Sequence, residues 1–115
     1  MITLYGIPNC DTMKKARKWL DAHDVDYQFH NYKTDGVSGK KLESWVKQVG
    51  LESLLNRRGT TWRKLDDAEK EIVSEKSAVQ LMLDYPSIIK RPVLEIGSQI
   101  IVGFSDSDYK QIDWP

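Results

Sequence analysis

The chain has 115 residues, about one domain's length, with 40% hydrophobic and 30% charged residues and a formal net charge of zero from 17 Lys and Arg against 17 Asp and Glu. Balanced charge excludes the broad basic field of a nucleic-acid binder, and no apolar run reaches the roughly 18 residues of a membrane span. The start, MITLYGIPNC, lacks the charged leader and apolar core of a signal peptide, and one cysteine with two distant histidines makes neither a disulfide framework nor a zinc site.

No repeat or low-complexity linker divides the chain, so one domain over residues 1–115 is expected. Ile2 to Tyr5 is a short β-rich run ended by Gly6 and Pro8. Met13, Ala16, Trp19 and Leu20 then recur at helical spacing, with Lys14, Lys15, Arg17 and Lys18 on the other side as a solvated face, which predicts an amphipathic helix over 12–22. Alternation from Asp26 to Tyr32 predicts a second strand, so the first third reads β–α–β with parallel pairing. Asp35-Gly36 is a turn, and Ser38 caps a helix through Leu42, Trp45, Val46 and Val49 that Gly50 ends. A short helix over Leu51–Leu55 follows, then a segment around Trp62 and Leu65, a helical turn at Glu69–Val73, and a helix capped by Ser74 and halted by Pro86. Pro92–Ile96 and Gln99–Val102 are β runs joined by the hairpin dipeptide Gly97-Ser98, and Ser105–Ile112 makes a last helix. The order β-α-β … β-β-α matches an α/β thioredoxin-like fold: a mixed four-stranded sheet with a helical insert at about 38–90. The four tryptophans read as core or partly buried anchors, and His23 and His30 as surface or strand residues.

Cys10 falls just after a strand and just before a helix. Unpaired amides and the helix dipole there stabilise a thiolate, whose pKa can drop from about 8.5 to between roughly 3.5 and 7.5. The alternative is a small buried hydrophobe, the common fate of a free cysteine. Met13 stands where a dithiol oxidoreductase has its resolving cysteine, and the chain has no other. Redox turnover must therefore borrow a thiol from glutathione, another small molecule or a partner protein. Pro92 opens the third strand in Lys90-Arg91-Pro92-Val93; fold context favours a cis peptide there, facing the cysteine and leaving backbone to pair with a peptide-like ligand, against a trans strand-starting proline. Arg91 then sits beside Cys10, where a guanidinium can stabilise a thiolate or hold a carboxylate or oxyanion.

The runs ITLYGIPNCDTMKKARKWL, LLNRR at 54–58 and MLDYPSIIKRPVLEIG at 82–97 resemble the arsenate reductase (ArsC) family in its wider sense, which includes the Spx regulators and, nearest in length and motif, the YffB proteins. The resemblance covers essentially the whole chain. It implies the thioredoxin fold with a helical insert, the bacterial cytoplasm, and a catalytic cysteine at Cys10. Glutathione-linked arsenate reductases surround that cysteine with three arginines. Arg91 matches one and Arg57, or Asn56 without gaps, falls at the second. The third belongs in Val102-Gly103-Phe104-Ser105, which holds none. Met13 likewise removes the Cys-x-x-Cys switch of many Spx proteins.

Gly103-Phe104-Ser105-Asp106 also resembles, in its distance from Pro92, the glutaredoxin turn that holds the γ-glutamyl end of glutathione. Ser105 and Asp106 could bind that end, or serve as an ordinary N-cap and a residue complementing the helix dipole. The expected function is a glutathione-dependent thiol/disulfide reductase with catalytic Cys10 and Arg91. Asn9, Thr12, Arg57, Pro92, Val93, Ser105 and Asp106 form its glutathione and substrate site. Glutathione is the co-substrate, a thiol-containing protein or small molecule the substrate, and no metal, nucleic acid or membrane is involved in what is expected to be a monomer. The alternatives are an arsenate reductase-like oxyanion reductase and an Spx-like regulator that binds RNA polymerase without chemistry.

Overall fold

Ile2–Gly6 forms strand β1, an inner strand of a four-stranded sheet of order β2-β1-β3-β4. The computed structural model describes residues 1–72 and 74–115. Strand β2 is Gln28–Asn31, β3 is Val93–Ile96 and β4 is Gln99–Val102. β2 runs parallel to β1, while β3 is antiparallel to both β1 and β4. A parallel pair needs a crossover, and helix α1 (Asp11–Ala22) supplies it. The sheet is mixed, the element order is that of a thioredoxin-like α/β fold, and helices occupy the middle of the chain as expected.

The apolar stripe of α1 decides where the core lies. Met13, Ala16, Trp19 and Leu20 are its buried residues, and they form one cluster with Ile2 and Leu4 of β1, Leu94 of β3 and Tyr109. Leu4 stands opposite Phe29 on one side and Leu94 on the other, so the cluster runs across the sheet. Gly97, at φ 58°, makes the two-residue turn that puts Ile96 opposite Gln99. β2 is shorter than the alternation over 26–32 suggested. It is an edge strand whose neighbour β1 ends at Gly6, opposite Asn31, and the ladder stops there. The last helix, α7, covers Asp106–Lys110 rather than 105–112, with Ser105 as its N-cap and Gln111 as its C-cap.

The chain divides into two compact units, Met1–Asn31 with Arg91–Pro115, and Tyr32–Lys90. The second unit is helical. α2 (Gly39–Val49) buries Leu42, Trp45 and Val46 and is capped by Ser38, whose side chain accepts from the Lys41 amide at 3.1 Å. α3 (Leu51–Leu54) follows, and the segment around Trp62 is itself helical, α4 (Thr60–Lys64). The turn expected at 69–73 lies earlier, as α5 (Asp67–Lys70). Asp66 and Glu69 form a reciprocal capping box that starts it before Glu69, and Val73 lies outside the described residues. α6 (Glu75–Asp84) begins at Ser74 in a box with Ser77. Pro86 does more than halt α6: it opens a 3₁₀ turn, Pro86–Ile88, which leads into a Leu55–Ile89 bridge closed by Asn56 N–H to Ile88 O and Lys90 N–H to Leu54 O, both 2.7 Å.

Among the described residues, no helix is long and apolar enough to cross a membrane, and no group of three or more His, Cys, Asp or Glu is placed to hold a metal ion. Leu94 is fully buried and central to the core cluster. Leu94→Ala is expected to lower the unfolding free energy by about 2–5 kcal/mol, and Ser74→Ala by about 1 kcal/mol, in urea denaturation. Equal effects of the two substitutions would contradict this placement of the core.

Candidate active site

Cys10 is the N-cap of α1: its backbone is extended (φ −133°, ψ 132°) and its carbonyl accepts the first helical bond from the Lys14 amide at 3.0 Å. Thr12 and Met13 follow in the first turn of α1, where amides have no partner within the helix. The thiol makes no short cap bond of the kind an oxygen makes, yet those two amides still act on the sulfur. The thiol is half-buried and packs against the core cluster. Burial by itself pushes its pKa up. The Met13 N–H, the Arg91 side chain with its charge, and the Thr12 N–H together outweigh burial and hold the thiol below its ordinary value. The groups that favour the thiolate are thus local ones, in a chain with no net charge.

Arg91 reaches this position through the return of the chain to the sheet. The Arg91–Pro92 peptide is cis, as fold context favoured. The Pro92 carbonyl accepts from the Gly103 N–H at 2.8 Å. Val93 lies in register with Tyr5 on one side and Val102 on the other. The Pro92 carbonyl is thus bonded to the β4 end of the hairpin, and Val93 lies within the sheet. Asn9 is exposed in the turn before Cys10. Thr12 contributes its backbone N–H. Met13, read from sequence as a missing cysteine, supplies the amide with the strongest lowering effect on the thiol. The N-cap geometry was the signal for it, since the second and third helical amides point at the cap side chain.

The other candidates have different work. Ser105 Oγ accepts from the Asp108 amide at 3.1 Å, an ordinary N-cap on a helix of five residues. Asp106 accepts from Trp19 Nε1 at 2.7 Å and pairs with Lys110 at 2.9 Å; these two partners hold its carboxyl below the usual range. Trp19 stands nine residues, roughly 13 Å of helix rise, beyond Cys10. Asp106 thus ties α7 to the far half of α1 and receives the ammonium group of Lys110. Arg57, in the helical unit, grips Glu52 through two bonds of 2.7 and 3.2 Å and lies 4.9 Å from the Trp62 ring centroid. That guanidinium is engaged by its own unit. Asn56, the alternative at that place, accepts from the Arg58 amide at 3.1 Å and organises the turn.

The ArsC family model matches residues 5–112, and the chain belongs to that family. A solved YffB protein shares 52% identity over 96% of each chain, with a TM-score of 0.91. An arsenate reductase (ArsC) related protein from Brucella melitensis shares 50% identity over 95% of this chain and 91% of its own, with a TM-score of 0.75. The global transcriptional regulator Spx of Streptococcus pyogenes serotype M3 is 31% identical over 96% of this chain and 83% of the regulator. The relatives thus include both reductase-related proteins and a regulator.

Because the folded-state pKa of Cys10 is depressed, its stabilising contribution is present above the unfolded thiol's pKa and is lost as pH falls through the folded value. The rate of alkylation by iodoacetamide should have its pH midpoint below the free-cysteine value of about 8.5. Arg91→Ala should raise that midpoint and slow alkylation at pH 7 by about three- to tenfold, the worth of one charge-assisted bond at a half-exposed group. A variant with the parent's pH profile would remove Arg91 from the site.

Proposed function

We propose that this ArsC-family chain is a glutathione-dependent thiol/disulfide reductase that works with one cysteine. The observation that carries the proposal is the half-buried Cys10 at the start of α1, its thiolate favoured by the Met13 and Thr12 amides and by the Arg91 side chain. A thiolate with a pKa near ambient pH is the best attacking group in thiol exchange. Cys10 attacks the glutathione sulfur of a mixed disulfide between glutathione and a substrate thiol. The sulfur–sulfur bond breaks, the substrate leaves as a thiolate that takes up a proton, and glutathione stays on Cys10. A second glutathione, as thiolate, attacks this adduct and leaves as glutathione disulfide, returning Cys10 as thiolate. The net cycle consumes one free glutathione, whose sulfur pairs with the glutathionyl group taken from the substrate, so the substrate leaves as a thiol and no second cysteine of the chain is needed.

Arg91 holds the resting thiolate and stabilises it again as the leaving group of the second step. Arsenate is the weaker substrate reading, since Val102-Gly103-Phe104-Ser105 holds no arginine where the resemblance expects the third; Arg91 supports the thiolate in either reading. The Spx relative supports a second reading, a non-catalytic regulator docking on RNA polymerase.

Incubation with glutathione disulfide should add one glutathione to the intact protein by mass spectrometry, and Cys10→Ser should abolish both the adduct and reduction of a glutathionylated peptide. A parent protein that forms no adduct and alkylates at the rate of a free thiol would sink the reductase. RNA polymerase capture by both the parent and Cys10→Ser, with no reductase activity in either, would establish the regulator instead.

A further inference from the structure

β1 ends and α1 begins around one small residue. Gly6 is buried and closes the β1–β2 ladder opposite Asn31. Its φ lies outside the left-handed region, so its backbone does not require glycine. Space does. A Cβ at Gly6 would overlap Met13 Sδ, would lie 2.7 Å from Met13 Cε, and would stand 3.4 Å from Arg91 Cβ. Met13 and Arg91 are also the two residues with the strongest lowering influence on the Cys10 thiol, one through its amide and the other through its guanidinium. A methionine can ordinarily swing away from a new methyl group. Met13 is fully enclosed in the core cluster with Leu4, Ala16 and Leu20, and a close-packed interior passes the displacement to the backbone that carries it.

We propose that Gly6 is a positioning residue for Cys10: its missing side chain leaves the room that the Met13 thioether occupies, so that the first turn of α1 and the stem of Arg91 can close against the end of β1. The inference rests on the reading of Cys10 as the reacting thiol. It assigns a part in that chemistry to a residue with no side chain of its own. It also gives Met13 a positive role. The side chain that stands in place of a resolving thiol fills the gap that Gly6 leaves.

The test is the pH profile of iodoacetamide alkylation, which needs neither glutathione nor a substrate, recorded alongside the thermal midpoint. Gly6→Ala should raise the alkylation midpoint and slow the reaction at pH 7 by about threefold or more, in step with the thiolate fraction. Gly6→Ala with Met13→Ala, where the clashing atoms are gone, should recover most of that loss even while its thermal midpoint stays low. A purely structural glycine would lower the thermal midpoint of Gly6→Ala and leave its alkylation profile at the parent's, and that result overturns the proposal. So does a double variant as slow as the single. If Gly6→Ala does not fold, the double variant carries the test: it must fold and keep a midpoint near the parent's, and failure on either count overturns the inference. Failure of the underlying reading is separately visible, as a parent midpoint at the free-cysteine value.

Discussion

The packing of α1 on the sheet is the interaction on which the rest of this structure depends. Four side chains on one stripe, Met13, Ala16, Trp19 and Leu20, meet Leu4 and Leu94 on adjacent inner strands. That contact permits β1 and β2 to run parallel, because the crossover must lie flat on one face of the sheet. It also stations the start of the helix at the end of β1, where Cys10 caps it. The far half of the same helix holds the C-terminal segment: Trp19 binds Asp106, and its ring meets Tyr109 edge-on at 5.4 Å and stacks with Trp114 at 5.5 Å. One amphipathic helix therefore joins the sheet, the last helix and the candidate nucleophile.

The electrostatics of the thiol are local for the same reason. A chain of zero net charge has no general field to favour an anion, and burial of Cys10 acts against ionisation. Two amides of one helical turn and one guanidinium reverse that balance. Elsewhere, comparable groups are consumed inside the fold. Arg57 is held by Glu52, Asp106 by Trp19 and Lys110, and the amide of Asp108 by Ser105. A cation or helix start becomes part of a reactive site only where the fold leaves it facing the reacting atom.

Membership of the ArsC family joins this chain to proteins with different uses for the same scaffold, a reductase-related protein at 50% identity and a transcriptional regulator at 31%. Fold alone does not select between such uses; the site does. Here the relevant features are Met13 in place of a second thiol and the absence of arginine from 102–105. The first excludes an internal disulfide cycle, and the second bears on the choice between a disulfide and a free oxyanion as substrate.

The succession of elements, the parallel first pair, the caps Ser38 and Ser74, and Cys10 at a helix start were all legible in the sequence. Each depends on periodicity or on capping chemistry within a few residues, and such local signals act before any tertiary contact forms. Less legible were the extent of β2, set by where its neighbour stops, and the start of α5, set by a box between Asp66 and Glu69. The candidate site divides along the same line. The sequence by itself determined that one thiol stands at a helix N-terminus and that any redox cycle must borrow another. Only the tertiary structure decided that Arg91 acts on that thiol, that the Met13 thioether packs at Gly6, and that Arg57, Ser105 and Asp106 bond within the fold. Those outcomes depend on pairings across many residues, where each polar group is taken by the partner the packed fold brings nearest.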